Sequence, residues 1–272
     1  PQGTLNPKVG YDLMKMLRGL EDGSLNFLWT QVVNIFQSTP NNTHWIQAAR
    51  KPENFVVVSD VYPTFSGACA DLILPAAMHF EKWGFYGNGE RRTQGWQQMV
   101  KPTGDSRTDV WMMMEFSKHF TVDECWGPQH VAGVEGDTLP DVRTTAHAMG
   151  ISGNATLFDV LFAPSEKRQA VWPDPLYKNG LNTTGEALGL PYLPEKALWN
   201  EYRQFTLGHG HDLADFDTYM RDDVHGLLWP VVNGKETLWR YNTDTDPYAK
   251  ADNLFYGPLM KSIPSGNLAG VT

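Results

Sequence analysis

The stretch NFVVVSD, residues 54–60, decides the fold class that the sequence predicts. Its apolar residues are continuous and β-branched, and the run is too short for a helix. It ends at Ser59 and Asp60, shortly before Pro63. This pattern is typical of a strand that is buried on both faces, as strands of parallel sheets are.

Two similar apolar runs lie on either side of this strand, LNFLWT at residues 25–30 and DLILPAA at residues 71–77. A helical spacing of apolar residues precedes them from Val9 to Leu20. A second helix is predicted within residues 105–120, with Ser106 as its N-cap. Strands that alternate with helices predict an α/β, Rossmann-like fold, with a mostly parallel sheet and helices on both faces.

The remaining sequence predicts a less regular organisation. Residues 121–205 are rich in Pro, Gly and Thr, with a weak helical patch near 155–163, and we expect an irregular insertion or lid there. Two apolar runs flank Asn233-Gly234, which is a strong β-hairpin signal. The predicted division is therefore a cofactor-binding portion over 1–120, the insertion over 121–205, and a hairpin-containing segment over 206–272.

Composition excludes several classes of protein. The chain has 272 residues and a formal net charge of −9, which disfavours general binding to nucleic acid or to anionic membranes. No apolar run reaches the roughly 18 residues that a membrane span needs. The two cysteines, Cys69 and Cys125, lack metal-ligand spacing, although they could pair with each other. The first and last residues favour an internal portion of a longer protein.

Polar residues follow the predicted strands where a ligand of a parallel sheet is expected. Asn34 lies beyond the first strand, Ser59 and Asp60 end the second, and Lys82 follows the third. Asp109 lies in the first turn of the predicted helix. Each residue also has an ordinary structural interpretation: Asx turns or caps for Asn34, Ser59 and Asp60, and a helix-capping acid for Asp109.

The stretch EKWGFYGNGERRTQGW, residues 81–96, has two interpretations. Its glycines and its basic side chains Lys82, Arg91 and Arg92 are suited to an anion-binding loop. It contains neither of the two common phosphate-loop motifs, so a surface turn with solvated charges is the alternative.

The remaining motifs give little indication of metal binding or catalysis. Glu115 with His119, and the HGHD run at 209–212, are weak metal-ligand patterns, and no GxSxG elbow indicates a serine hydrolase. The three methionines at 112–114 are better explained as core residues. From these patterns we assign no catalytic residue and no metal ligand.

The chain resembles the molybdenum bis-(molybdopterin guanine dinucleotide) oxidoreductases in three segments taken together, residues 55–96, GHGHDLADFDTYM and LLWPVVNGKETLWRYN. Within that group the last two segments are similar to the catalytic large subunit of periplasmic nitrate reductases. The likeness is densest over 54–110 and 206–249. It is poor over 121–205 and over the last fifteen residues.

The resemblance implies that Asn34, Ser59, Asp60, Lys82 and Asp109 contact the cofactor. It also implies reduction of nitrate to nitrite, a 4Fe-4S cluster whose ligands lie outside this chain, a small dihaem cytochrome c as electron donor, and a periplasmic location. Lys82 would be the direct contact within 81–96, with Arg91 and Arg92 in structural roles.

Departures from the family limit what this chain could do alone. Neither cysteine lies in the family's cluster or molybdenum-ligand motifs, so the isolated portion is expected to be inactive. A sister enzyme, such as a formate dehydrogenase or an assimilatory nitrate reductase, stays an alternative. A non-catalytic nucleotide-binding module is another.

Overall fold

The computed structural model describes residues 11–125, 143–163 and 180–249. The chain divides into two compact units. The first unit comprises Pro1–Lys82 and Gln98–Pro194, and the second comprises Trp83–Gln97 and Glu195–Thr272. The functional division at residues 120 and 205 stays a prediction.

A parallel sheet of three strands organises the first unit. The strands lie side by side in sequence order: β1 (Phe27–Gln31), β2 (Phe55–Asp60) and β3 (Leu72–Pro75). Gln31 lies opposite Ser59, which lies opposite Leu74 on the next strand. The three predicted strands and their parallel pairing are thus confirmed. Their carboxyl ends meet at one side of the sheet, which we call the carboxyl edge.

Short helices surround this sheet. In chain order they are α1 (Leu13–Asp22), α2 (Ile35–Ser38), α3 (Asn42–Ala49), α4 (Phe65–Ala68), α5 (Asp109–Phe116), α6 (Val122–Cys125), α7 (Arg143–Ala148), α8 (Leu157–Phe162) and α9 (Thr183–Leu188). Single 3-10 turns occur at His79–Glu81 and Ser117–His119.

One face of the sheet packs against the helices of the first 70 residues. Val56 and Val58 of β2 are almost fully buried against Leu17, Leu20 and Phe36. The helix predicted over 9–20 is observed as α1. Asp12 caps this helix by accepting a bond from the N–H of Lys15, and Gly23 ends it with a φ of 82°.

The other face of the sheet meets α5. The ring of Trp29 contacts that of Phe116 edge to face at 5.2 Å. The prediction that Ser106 caps this helix is wrong, because Thr108 accepts the capping bond from the N–H of Trp111. Arg107 forms an isolated parallel bridge with Ala76, and Ser106 bonds back to the backbone oxygen of Thr103 in the preceding turn.

The second unit is built on a small antiparallel sheet. Its strands are β4 (Gly84–Gly87), β5 (Arg92–Trp96) and β6 (Leu227–Leu228), and its helices are α10 (Pro194–Gln204) and α11 (Phe216–Tyr219). The predicted turn at Asn233-Gly234 is confirmed, since both residues have positive φ and Val232 bonds Lys235 in both directions at 3.0 Å. The predicted hairpin around this turn is shorter than expected. The strand that precedes the turn, β6, pairs with β5.

The described part of residues 121–205 is more regular than predicted. It contains α6 to α10, and side-chain caps explain two of them. Thr156 and Asp159 form a capping box at α8, and Asn182 accepts the N–H of Gly185 at the start of α9. The weak helical patch expected near residues 155–163 is observed as α8, whereas the other helices, among them the 11-residue α10, were not predicted. Among the described helices, none is long and apolar enough to cross a membrane.

Candidate functional site

The predicted site residues lie at or just beyond the carboxyl edge. Ser59 and Asp60 are the last residues of β2, Asn34 follows β1, and Asp109 is the first residue of α5. Lys82 follows the 3-10 turn after β3 and is paired with Asp109. Side-chain contacts decide how much bonding capacity each of them retains.

Asn34 links neighbouring backbone segments at the carboxyl edge by hydrogen bonds. Its Oδ1 accepts bonds from both the N–H and the hydroxyl of Ser66, at 3.0 and 2.7 Å. Its amide group donates to Gln37 at 2.6 Å. In turn the Ser66 hydroxyl accepts the N–H of Phe36. These contacts tie the turn after β1 to the start of α4, although Asn34 provides no side-chain cap to α2.

Ser59 is fully buried, and its hydroxyl oxygen accepts the indole N–H of Trp29 at 2.6 Å. A tryptophan can only donate, so the hydroxyl hydrogen of Ser59 is left to bond elsewhere. The Trp29 side chain therefore separates the Ser59 hydroxyl from a ligand that approaches this face of the parallel sheet. Neither Trp29 nor its neighbour Gln31 was predicted, because pairing over about 30 residues depends on strand register.

Asp60 forms an Asx turn at the end of β2. Its Oδ1 accepts the N–H of Val61 at 2.7 Å and that of Tyr62 at 3.4 Å. No bond to its other carboxylate oxygen occurs within the described residues, and the side chain is half-buried. Asp60 therefore keeps an acceptor that a ligand at the carboxyl edge could use.

Lys82 and Asp109 form the most distinctive charge pair of the first unit. The ammonium group contacts Asp109 Oδ2, and the two side chains are only 16% and 27% exposed. Asp109 Oδ1 is buried and has no hydrogen-bond partner among the described residues. Gln31 donates to the backbone oxygen of Asp109 at 3.3 Å, which links the start of α5 to the end of β1. The pair thus presents one unsatisfied carboxylate oxygen beside a cation.

A cavity of about 330 Å³ lies on the flank of α5. Trp29, the end of β3 and the side chains of Trp111 and Phe116 contribute to its lining. Its position next to the carboxyl edge is where ligands of parallel α/β sheets are found.

The glycine-rich stretch 81–96 forms a β-hairpin, whose strands are β4 and β5. Arg91 donates to the backbone oxygens of Trp229 and Thr237 and lies 5.6 Å from the Trp229 ring centroid. Arg92 bonds Glu90 and the backbone oxygen of Gly226. Both arginines therefore make structural contacts within the second unit, as expected, whereas Lys82 contacts Asp109 of the first unit.

Gly84→Ala is expected to destabilise the hairpin by about 1–3 kcal/mol, because overpacking forces neighbours to shift. A Cβ at Gly84 would lie 2.3 Å from the Trp96 ring, whereas one at Gly89 would meet nothing within 4 Å. Thermal unfolding of both variants tests this. Equal melting temperatures for Gly84→Ala and Gly89→Ala would contradict the close approach to Trp96.

The HGHD run is explained by Asp212 rather than by a metal. Gly208 and Gly210 have φ values of 81° and 77°, and their N–H groups donate to the Asp212 carboxylate. The hydroxyl of Tyr248 donates to it at 2.8 Å. Burial opposes ionisation, but these hydrogen bonds outweigh it, and the pKa of Asp212 lies below its ordinary value.

A carboxyl group whose pKa is lower in the folded protein than in the unfolded chain stabilises the fold at pH values above its unfolded pKa of about 4. This stabilisation is lost as the pH falls through the pKa of the folded state. We therefore expect Asp212→Asn to destabilise the second unit by about 1–3 kcal/mol at pH 7, with the difference shrinking below pH 4 or so. Hydrogen exchange at the Gly208 and Gly210 amides measures it. A difference that does not depend on pH would contradict a charged Asp212.

Within the described ranges, no group of three or more His, Cys, Asp or Glu residues could hold a metal ion. Glu115 is paired with Lys118 at 2.7 Å. Cys69 and Cys125 do not form a disulfide with each other, and burial raises the pKa of each thiol. The open possibility that they pair is thus wrong.

Comparison with known proteins first defines the class. Residues 2–119 match the model of the molybdopterin oxidoreductase family. This range contains β1, β2, β3 and all five predicted site residues.

The comparison then identifies a particular relative. The chain is 48% identical over 290 aligned residues to the periplasmic nitrate reductase of Campylobacter fetus subsp. fetus (strain 82-40). The alignment covers 100% of this chain and 31% of the relative, so the chain spans about a third of that protein's length. It is homologous to a portion of a periplasmic nitrate reductase, which confirms the resemblance inferred from the sequence.

Proposed function

We propose that this chain is the part of a molybdenum-dependent nitrate reductase that binds a molybdopterin guanine dinucleotide. The whole protein would reduce nitrate to nitrite and water with two electrons and two protons. When bound, the cofactor supplies this redox chemistry at its molybdenum. The residues of this chain would bind and orient the nucleotide portion.

The observation that carries this proposal is the Lys82–Asp109 pair. A guanine ring presents N–H donors at its edge, and Asp109 Oδ1 is a buried acceptor without a partner among the described residues. Lys82 offsets the negative charge beside it. The second oxygen of Asp60 would add another acceptor. These donors and acceptors fit a guanine nucleotide. The side-chain oxygens of Asn34 and Ser59, by contrast, already accept hydrogen bonds from Ser66 and Trp29.

The proposal extends to the finer fold and to the partners. The first unit would be Rossmann-like, with residues 1–120 as its cofactor-binding portion and 121–205 as an insertion. Residues 206–272 would lead to a further cofactor-binding domain. By family analogy the full-length protein would be periplasmic, hold a bis-molybdopterin cofactor and a 4Fe-4S cluster outside this chain, and accept electrons from a dihaem cytochrome c.

Purification of the full-length protein tests this function. We expect stoichiometric molybdenum, release of guanine nucleotide on denaturation, and reduction of nitrate with reduced viologen as donor. Formate oxidation without nitrate reduction would favour a sister enzyme instead. Guanine nucleotide without molybdenum and without either activity would support the non-catalytic nucleotide-binding alternative.

A further inference from the structure

The Asn-Gly pairs of the chain are positions where an asparagine side chain can lose its amide nitrogen. Glycine has no Cβ, so its main-chain nitrogen can approach the carboxamide carbon of the preceding asparagine without hindrance. The sequence contains three such pairs, which begin at Asn88, Asn179 and Asn233. Two of them, Asn88-Gly89 and Asn233-Gly234, lie wholly within the described residues. The hydrogen bonds of these two pairs differ.

The carboxamide of Asn88 is held by hydrogen bonds within its own turn. Its oxygen accepts the N–H groups of Glu90 and Arg92, both at 3.1 Å. Its amide group donates to the Glu90 carboxylate at 3.3 Å. Rotation of the carboxamide towards the nitrogen of Gly89 would break these bonds, so the reaction is slowed although Asn88 is exposed.

Asn233 lies at the tip of the turn that follows β6, and both Asn233 and Gly234 are exposed. Their φ values are 51° and 74°, and two bonds of 3.0 Å between Val232 and Lys235 close the turn. Within the described part of the chain, neither the Asn233 carboxamide nor the Gly234 N–H has a hydrogen-bond partner. A Cβ at Gly234 would meet nothing within 4 Å, so the space beside the reacting atoms is open.

We propose that Asn233 is a site of spontaneous deamidation, at which the neutral carboxamide becomes a carboxylate. The Gly234 nitrogen gives up its proton, attacks Cγ of Asn233 and forms a C–N bond. The bond from Cγ to Nδ2 breaks, and the leaving nitrogen takes up a proton and departs as ammonia. Water then opens the cyclic imide at either carbonyl carbon, which gives aspartate or isoaspartate. One water is consumed, one ammonia is released, and no atom is oxidised or reduced.

The isoaspartate product would change the turn locally. It adds one carbon to the main chain of the turn, so a two-residue connection can no longer hold Val232 and Lys235 in register. Beyond the turn, Thr237 donates to the backbone oxygens of Leu228 and Pro230 at 3.0 and 2.8 Å. These bonds would keep the rest of the hairpin in place.

Ageing of the full-length protein in mildly alkaline buffer tests the proposal, because base removes the proton from the glycine nitrogen. Peptide mass spectrometry follows the conversion of carboxamide to carboxyl separately in the peptides that contain Asn233 and Asn88. We expect Asn233 to convert about 10- to 100-fold faster than Asn88, since fewer hydrogen bonds must break before its side chain can react. An aspartate-specific protease distinguishes the two products, because it does not cleave at isoaspartate.

The same chain unfolded in urea is the first control. Both pairs have the sequence Asn-Gly, so without the fold the two asparagines should convert at similar rates. Glu90→Ala is the second control, because it removes the carboxylate that accepts from the Asn88 amide group. It should speed the conversion of Asn88 about 2- to 10-fold, as for the loss of one hydrogen bond, and leave Asn233 unchanged.

Conversion of Asn88 as fast as that of Asn233 in the folded protein would overturn the proposal. So would an equally large difference in urea, because the fold would then not be its cause, or an Asn88 that converts no faster in Glu90→Ala. Persistence of an intact Asn233 in the folded protein, after the unfolded chain has converted fully, would also refute it. Peptide masses alone report these results, so they do not depend on cofactor content or on nitrate reduction.

Discussion

Lys82→Met is expected to weaken cofactor retention in the full-length protein by roughly 30- to 150-fold. The reason is that Lys82 is only 16% exposed and neutralises the Asp109 carboxylate, whose other oxygen is buried and has no partner among the described residues. Loss of a charged contact in such a place costs about 2–3 kcal/mol. Molybdenum and guanine nucleotide content, measured beside nitrate reductase activity, reports the effect.

Lys101→Met is the control for Lys82, because Lys101 is 69% exposed and its nearest carboxylate, Glu186, lies at 4.0 Å. Exposed pairs contribute about 0–1 kcal/mol, so this variant should retain its cofactor. The double variant Lys82→Met with Asp109→Asn separates two roles. Full recovery of cofactor would mean that Lys82 only neutralises Asp109, and full retention in Lys82→Met alone would refute any role in binding.

Phe36→Ala is expected to lower the free energy of unfolding by about 3–5 kcal/mol, the typical cost of truncating a buried Phe. Phe36 is 0% exposed and packs in the cluster that joins α1, α2 and α3 to the sheet. It also adjoins the hydrogen bonds from Ser66 to Asn34. Its loss should therefore loosen the carboxyl edge as well as the core. Urea unfolding measures the change.

Phe65→Ala provides the comparison, because Phe65 is 50% exposed on the neighbouring α4. A surface change of this kind should alter the unfolding free energy by no more than about 0.5–1 kcal/mol. Similar losses in the two variants would show that the cluster around Phe36 does not dominate stability.

Local patterns predicted the elements well where the apolar signal was strong. The run at 54–60 became β2, and Asn233-Gly234 formed its turn. The start of α5 was misplaced by two residues, since Ser106 and Thr108 are both good caps and it is Thr108 that accepts the capping bond. Within 121–205 the weak helical patch near 155–163 was predicted and is observed as α8, whereas the 11-residue α10 was missed.

The sequence by itself determined the parallel sheet, the family, and the position of five polar residues at strand ends and at one helix start. Only the tertiary structure decided which of their atoms are still free to bind. The hydroxyl oxygen of Ser59 accepts a bond from Trp29, and the amide oxygen of Asn34 accepts one from Ser66. Asp109 contacts Lys82 through only one of its carboxylate oxygens. The physical reason is that strand and turn propensities act over a few residues, whereas these partners are about 30 residues apart and meet only once register and packing are fixed.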